Sequence, residues 1–361
     1  MEQWDAAAIW GEAGPSTTKG LPIAADDPQR LVAGSTFLMV PDLLAYLATG
    51  CIATDVTNAS STGLVDPRTR TWAPAVFEAL GLEPSCFLDP DEPGGVRGES
   101  AGGLPLIGVA THDTASAFAG APLRDRRDAL ILSLGTWALI GAEVVGAVPD
   151  DRARVLNVTH ELGIDGTVRL LRNVSGMWLF EECRRAWAQE DGSEPDVPTL
   201  LHAAAAAPPF AAILDVDAPE LISPGQGPHT IEPHLVGRWD GSRGSIVRVI
   251  LESVVARIAE RAAQIDELLG VQRQVLHVVG GASRNGMVMQ WLADATGKRV
   301  LAGPVEATAL GNAAVQWRTL GVVSSLDEAR LLISGMPEIR AFEPAADQGA
   351  WQAYRSRLDM R

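Results

Sequence analysis

Three short polar segments carry side chains that could do chemistry. Residues 111–114 read THDT, residues 133–137 read SLGTW, and residues 280–285 read GGASRN. Each stands at the end of an apolar run typical of a buried strand. Because α/β proteins bind ligands at the carboxyl ends of their strands, we expect these segments to contribute to a ligand site.

The carboxyl group of Asp113 has two interpretations. An Asp between a buried strand and a helix is often only an N-cap, and the pattern taken alone favours that role. The functional interpretation is a general base at the mouth of a cleft, with His112 and Thr114 as hydrogen-bonding neighbours.

The two glycine segments are equally open to two interpretations. A tight turn at Gly135 and Thr136 needs no ligand, yet such a turn aims N–H groups and a hydroxyl outward, as an anionic phosphate requires. Residues 280–285 form either a plain strand-to-helix connection or a bare glycine floor for a planar base or a ribose.

Other common motifs fail on single residues. A Walker A loop at Gly297 and Lys298 would need Ser or Thr where Arg299 stands. A nucleophile elbow around Ser283 would need Gly at Asn285. The same turn is not G-x-G-x-x-G, and the six histidines form no H-E-x-x-H. Three widely spaced cysteines exclude a disulfide framework and a cysteine-built zinc site.

Composition limits the class of protein. The chain has 361 residues, which suggests two domains, and its 47% hydrophobic content predicts a folded core. The net charge of −16 argues against nucleic acid and anionic membranes as partners, but it is compatible with a small phosphorylated ligand. The N-terminus is acidic rather than basic, and the apolar stretch at 129–148 is interrupted by Gly135, Gly141 and Glu143. We therefore expect a cytoplasmic protein.

The apolar patterns predict an α/β protein with a largely enclosed sheet. Residues 1–35 and 89–105 are predicted to be loops, and 124–128 a domain boundary. The predicted elements, in order, are a helix over 43–47 capped by Asp42, a strand over 106–110, a helix over 115–120, a hairpin of 130–134 and 137–142, a strand over 168–171, helices over 178–187 and 246–269, a strand over 275–279, a helix capped by Ser283, a strand over 299–302 and a helix opened by Glu306.

The chain resembles the FGGY carbohydrate kinases, which have the two-lobed actin-like ATPase (ribonuclease H-like) fold. The resemblance covers about 36–340 and is carried by 111–123 (THDTASAFAGAPL), 133–141 (SLGTWALIG), 171–187 (LRNVSGMWLFEECRRAW) and 278–316, which begins VVGGASRNGM. It implies a partial first lobe over 1–126, a complete second lobe over 127–345 and a C-terminal tail over 346–361.

The resemblance also implies a role for each candidate residue, with ATP and Mg²⁺ as cofactors and no metal ligand from the protein. The implied roles are catalytic base for Asp113, sugar binding for His112, Asp113, Thr114 and Asn173, phosphate binding for Gly135 and Thr136, proximity to the nucleotide for Glu181, and lining of the adenosine pocket for Gly280, Gly281, Ala282 and Asn285.

The implied activity is ATP-dependent phosphorylation of a ketose at a primary hydroxyl, with L-rhamnulose to L-rhamnulose 1-phosphate favoured. A kinase for another ketose or polyol such as fuculose, or a non-catalytic sugar- or nucleotide-binding remnant, are the alternatives. The partners expected are a sugar and ATP, with either a second copy or another chain covering the incomplete first lobe.

Three departures from the family pattern stand out. Leu134 replaces a serine usual in the phosphate turn, and Glu181 replaces a glutamine near the nucleotide. The first hundred residues hold no Asp-x-Gly-Thr or Asp-x-Gly-Ser turn, which in the family holds the metal and the phosphates. From this pattern we expect the chain on its own to bind adenine nucleotide weakly and to transfer phosphate poorly or not at all.

Overall fold

The computed structural model describes residues 31, 33–146, 151–225, 227–345 and 349–357. Most of the predicted opening loop at 1–35 lies outside these residues, as do 346–348 and 358–361 of the predicted tail. In the described part of the chain, no helix is long and apolar enough to cross a bilayer.

The described residues form short helices and hairpins before 121 and an α/β unit around one large sheet after it. The helices are α1 Val40–Thr49, α2 Val56–Ala59, α3 Pro74–Leu80, α4 Asp113–Ala119, α5 Asp151–Val155, α6 Trp178–Asp191, α7 Val197–Ala206, α8 Pro228–Ile231, α9 Arg243–Leu269, α10 Gly286–Thr296, α11 Ala307–Thr319, α12 Leu326–Ser334 and α13 Gly349–Arg355. The strands are β1 Val65–Asp66, β2 Thr71–Trp72, β3 Val96–Glu99, β4 Pro105–Ile107, β5 Ala129–Leu134, β6 Ala138–Val145, β7 Thr159–Leu162, β8 Thr167–Val174, β9 Ala212–Leu214, β10 Leu235–Gly237, β11 Val275–Val279, β12 Arg299–Ala302 and β13 Arg340–Phe342.

Seven strands form the central sheet in the order β13-β12-β11-β5-β6-β8-β7. Strands β5, β11 and β12 are parallel to one another, and β6, β7, β8 and β13 pair antiparallel with their neighbours. Parallel strands in such a sheet are buried on both faces, which explains why the runs at 130–134 and 275–279 are almost continuously apolar. The long helix α9 covers one face and shares the main core with Leu132, Ile140 and Val278.

The opposite face packs against α4 and α11. Ile131 of β5, Leu171 of β8 and Val279 of β11 share a core with Phe118 of α4 and Ala307 of α11. Side chains alternate along a strand, so this face also carries every second residue of the same strands. The helix that begins at Asp113 is therefore attached to the sheet by hydrophobic burial.

The structure confirms most of the predicted elements of the sheet domain. The hairpin of β5 and β6, the strands β8, β11 and β12, and the helices α6, α9 and α11 all form where the apolar pattern predicted them. The prediction for 106–110 was too long, because β4 ends at Ile107 and is only partly buried. The segment 89–105 was wrongly predicted to be loop, since it contains β3, which pairs with β4.

Two predicted helix caps were wrong. Asp42 lies inside α1, whose N-cap is Met39 and whose Pro41 fixes the first turn. The Ser283 hydroxyl donates to the carbonyl of Gly280 at 2.7 Å and closes a 3₁₀ turn. Helix α10 begins one residue after Asn285, whose Oδ1 accepts from the N–H of Val288 at 3.2 Å.

The described part of the predicted tail forms α13. Its Trp351 and Tyr354 are buried in the main core, and the Tyr354 hydroxyl donates to the carbonyl of Ala212 at 2.8 Å. These contacts attach α13 to the sheet domain.

Candidate active site

Asp113 is the first residue of α4 and its side chain is 83% exposed. One carboxylate oxygen, Oδ1, accepts from the N–H of Thr114 at 2.6 Å and from its hydroxyl at 3.2 Å. An N-cap side chain instead accepts from a residue two or three positions later, so Asp113 does not act as an ordinary cap. Its carboxylate is available to a ligand from solvent.

His112 is held by a buried arginine. Its Nδ1 lies 3.2 Å from an Nη of Arg169, which is fully buried on β8. Arginine only donates hydrogen bonds, so this Nδ1 is the acceptor and the neutral ring carries its proton on Nε2. Glu161 of β7 places a carboxylate oxygen 3.2 Å from the other Nη of Arg169. Burial lowers the pKa of Arg169, and the charge of Glu161 opposes that shift.

A second buried network holds the loop before Asp113. One oxygen of the fully buried Asp55 accepts from the Thr111 N–H at 3.0 Å and from its hydroxyl at 2.9 Å. The N–H of Asp55 in turn donates to Asp42, which pairs with Arg97 at 2.6 Å. Burial raises the pKa of Asp42 to about 6, and Arg97 limits the rise. These hydrogen bonds to the buried Asp55 fix the backbone at Thr111, two residues before Asp113.

The turn at Gly135 and Thr136 is exposed, and hydrogen bonds hold its two carbonyl oxygens. The Gly135 oxygen accepts from Met177 N–H at 2.9 Å and the Thr136 oxygen from Trp178 N–H at 3.1 Å, at the start of α6. Among the described residues, a Cβ on Gly135 would come within 4 Å only of the Trp137 oxygen, at 3.9 Å. The turn is rigid on its inner side and open on its outer side.

Gly176 and Gly280 pack directly against the backbone of that turn. A Cβ on Gly176 would lie 2.7 Å from the Gly135 oxygen, and one on Gly280 would lie 2.9 Å from the Leu134 oxygen. Gly280 also has φ +93°, a value that favours glycine. At the exposed Gly281, a Cβ would meet no atom within 4 Å. The ends of β5 and β11 therefore form one surface of bare backbone.

Other predicted nucleotide residues lie around this surface. Ala282 is half-buried and Asn285, which caps α10, is also half-buried. Glu181 of α6 pairs with Arg184 at 2.6 Å, so the negative charge that departs from the family pattern has a local counter-charge.

Asn173 is exposed near the end of β8, opposite Leu139. It is four residues beyond Arg169, so both side chains lie on the sheet face that α4 covers. Four residues of strand span about 13 Å. Leu139 in turn pairs with Ser133, two residues before Gly135, so Asn173 lies near the end of the sheet that carries the Gly135 turn.

The predicted residues form two groups. His112, Asp113 and Thr114 are together at the start of α4, and the glycine residues are together at the ends of β5 and β11. In the described chain, no hydrogen bond joins Asp113 to the Gly135 turn, and the Asp113 carbonyl instead accepts from the Thr308 hydroxyl of α11 at 3.4 Å.

Sequence reasoning missed Asp55 and Arg169. Arg169 is a charged residue in the otherwise apolar segment TVRLL, which is the signal that could have identified it.

Among the described residues, no three of His, Cys, Asp or Glu lie together as a metal site.

Comparison with known proteins shows to which family this chain belongs. Residues 130–320 match the model of the FGGY family of carbohydrate kinases, C-terminal domain. A rhamnulokinase from Bacteroides thetaiotaomicron is 36% identical over 337 residues, which is 90% of this chain and 68% of that protein. The chain belongs to the FGGY family of carbohydrate kinases.

Three further comparisons describe this family member's extent and fold. A rhamnulokinase from Pectobacterium carotovorum is 34% identical over 88% of this chain and 65% of its own length. The chain thus spans about two thirds of the length of these relatives. A ligand-bound xylulose kinase from Lactobacillus acidophilus has a TM-score of 0.74 at 16% identity, covering 96% of this chain and 71% of that one. A Plasmodium falciparum glycerol kinase with ADP also has a TM-score of 0.74, at 17% identity, covering 95% and 70%. The fold is that of the actin-like ATPase sugar kinases.

Proposed function

We propose that this FGGY protein phosphorylates a ketose at a primary hydroxyl with ATP, and that the ketose is L-rhamnulose. The observation that carries the proposal is the exposed carboxylate of Asp113 beside a histidine whose tautomer is fixed by Arg169. The names of the relatives, rhamnulokinase, support this choice of sugar.

In the proposed reaction, the chain orients the sugar and accepts one proton. The Nε2–H of His112 donates to a sugar hydroxyl, and Thr114 and Asn173 contact the other hydroxyls. The primary hydroxyl oxygen forms a bond to the γ-phosphorus, the bond from that phosphorus to the bridging oxygen of ADP breaks, and the proton passes to Asp113. Phosphoryl transfer asks mainly for positioning and charge stabilisation, so one exposed carboxylate suffices as acceptor.

The bare backbone around Gly135, Gly280 and Gly281, here called the glycine surface, suits a nucleotide. The open space at Gly135 and Gly281 lets a ligand approach the backbone closely, and a side chain there would take up that space. We assign the phosphates to Gly135 and Thr136 and the adenosine to Gly280, Gly281, Ala282 and Asn285. Mg²⁺ keeps most of its ligands from water and phosphate, so it would enter with the nucleotide and neutralise phosphate charge.

A panel of sugars tests the proposal. The purified chain is incubated with ATP, Mg²⁺ and, separately, L-rhamnulose, L-fuculose, L-xylulose and glycerol, and the sugar phosphates are measured by mass spectrometry, which detects slow turnover. We expect the fastest product from L-rhamnulose. Faster product from another substrate would replace L-rhamnulose, and saturable sugar binding without any product would favour the non-catalytic remnant.

A further inference from the structure

A groove with many arginines lies at the other end of the sheet from the candidate active site. It is lined by the connection 123–127, the end of β6, the segment before β11 and one face of α12. Arg127 and Arg273 precede the parallel strands β5 and β11, whereas Gly135 and Gly280 follow them. The length of these strands therefore separates the groove from the turns at Gly135 and Gly280.

The groove is positively charged in an acidic protein. Five arginines line it against three carboxylates, while the whole chain carries −16. The side chains of Arg124 and Arg127 are exposed and have no ion-pair partner within the described residues. A concave surface with a net positive charge concentrates anions.

Arg273 provides a second, independent observation. Its side chain is only 5% exposed, and its Nε is buried without a hydrogen-bond acceptor in the described structure. Its Nη1 lies 3.5 Å from Asp266, whose other oxygen is 2.5 Å from the Lys298 ammonium. Two buried cations thus share one carboxylate, which leaves a positive charge and an unmet donor. A buried surplus of positive charge is costly, and an oxyanion in the groove would offset it.

The groove also reaches the helix that carries Asp113. Arg330 pairs with Glu143 at 2.6 Å and donates to the carbonyls of Phe118 and Ala119, the last residues of α4. Arg126 lies 3.7 Å from the same Glu143. An anion that engages Arg126 would alter the charge beside the residue that holds the end of α4.

We propose that this groove binds a phosphate dianion, either free or as a small phosphate ester, at a site separate from the sugar and the nucleotide. The guanidinium fork donates two parallel hydrogen bonds to phosphate oxygens, and several arginines around one cavity favour a doubly charged anion. Arg124 and Arg127 would supply these donors from the rim, and Arg273 would add positive charge from the floor.

Calorimetric titration of the purified chain tests the site. Inorganic phosphate and, in a second arm, glycerol 3-phosphate are titrated at constant ionic strength set with NaCl. We expect saturable binding, and we expect the double variant R124Q/R127Q to weaken it by about tenfold or more, since each charge-assisted contact contributes substantially. The control R68Q/R238Q removes two exposed arginines elsewhere and should leave the affinity unchanged. Tighter binding of the ester would identify a phosphorylated metabolite as the ligand.

Each other outcome overturns the proposal. Binding that R124Q/R127Q leaves intact would place phosphate elsewhere, for example at the Gly135 turn. Equal loss in the control would indicate general charge attraction, and absence of saturable binding would exclude the site. A further variant, R273Q, removes the surplus positive charge while Lys298 still pairs with Asp266; it should also weaken binding while the melting temperature stays close to that of the parent chain.

Discussion

Gly311 of α11 lies directly against the carbonyl oxygen of Ser116 in α4. A Cβ at Gly311 would be 1.9 Å from that oxygen, and a Cβ at Gly120 would be 2.1 Å from the carbonyl oxygen of Ala307. The two helices therefore meet backbone to backbone. Because α4 begins at Asp113 and the Thr308 hydroxyl of α11 donates to the Asp113 carbonyl, this glycine contact sets the position of the candidate base.

The first prediction concerns this contact. Gly311→Ala must push α4 and α11 apart, because both atoms in collision belong to the backbone or to Cβ. We expect a loss of roughly 1–3 kcal/mol in unfolding free energy, measured by denaturant titration. Gly95→Ala is the matched control, since a Cβ there meets nothing within 4 Å. Equal stability of the two variants would mean that the helices are not held this closely.

The second prediction concerns the proton acceptor. Asp113→Asn keeps the shape of an exposed side chain and removes its basicity, so the rate of sugar phosphate formation should fall by about 10² to 10⁴ while sugar affinity changes little. The measurements are product formation by mass spectrometry and sugar binding by calorimetry. Asp89→Asn, also at an exposed position, should match the parent chain. An undiminished rate in Asp113→Asn would remove Asp113 from the mechanism.

The third prediction concerns the tautomer of His112. If Nδ1 accepts from Arg169 and Nε2–H donates to the sugar, the amide of Gln reaches the position of Nε2 and the amide of Asn reaches that of Nδ1. His112→Gln should therefore retain more sugar affinity than His112→Asn. His112→Asn, which keeps the acceptor for Arg169, should have the higher melting temperature of the two. Calorimetry and thermal melts check the two orders. The reverse order in both measurements would contradict the assignment of the proton.

The fourth prediction separates two neighbouring glycines. Gly135→Ala adds a methyl group on the open side of the turn, so the melting temperature should stay close to that of the parent chain while KM for ATP rises. Gly176→Ala puts a Cβ 2.7 Å from the Gly135 oxygen and should lower the melting temperature instead. Unchanged KM in a folded Gly135→Ala would show that phosphate does not approach the backbone there.

Periodicity was sufficient for the sheet domain but not for the network under the candidate site. The runs that became β5 and β11 are short and almost continuously apolar, and apolar residues recur along α9 at helical spacing, so the local pattern predicts the type of each element. The contacts of Asp55 with Thr111, and of Arg169 with His112, join residues 56 and 57 positions apart. Local pattern carries no information on such pairs. The cap predicted at Ser283 was wrong because Asn285, two residues later, also suits a helix N-cap and is the residue that caps α10.

The last prediction uses two buried groups whose titrations have opposite effects on stability. Burial raises the pKa of Asp42 to about 6, so the folded state binds a proton more tightly than the unfolded state, and stability falls as pH rises from about 4 to 6. Burial, with the charge of Arg330, lowers the pKa of His277 to about 4, so stability rises with pH between about 4 and 6.5. Relative to the parent chain, the unfolding free energy of Asp42→Asn should therefore increase across this range, and that of His277→Gln should decrease, each by up to about 3 kcal/mol.

Denaturant titrations at half-unit intervals from pH 4 to 6.5 measure both slopes. Asp89→Asn and His229→Gln, at exposed positions, provide matched controls and should follow the parent chain. Removing Asp42 also leaves Arg97 unpaired, but this cost does not vary with pH because arginine stays protonated throughout. It shifts the whole curve and leaves the predicted slope intact. Slopes of the same sign for Asp42→Asn and His277→Gln would show that at least one of these groups is not buried as the structure describes.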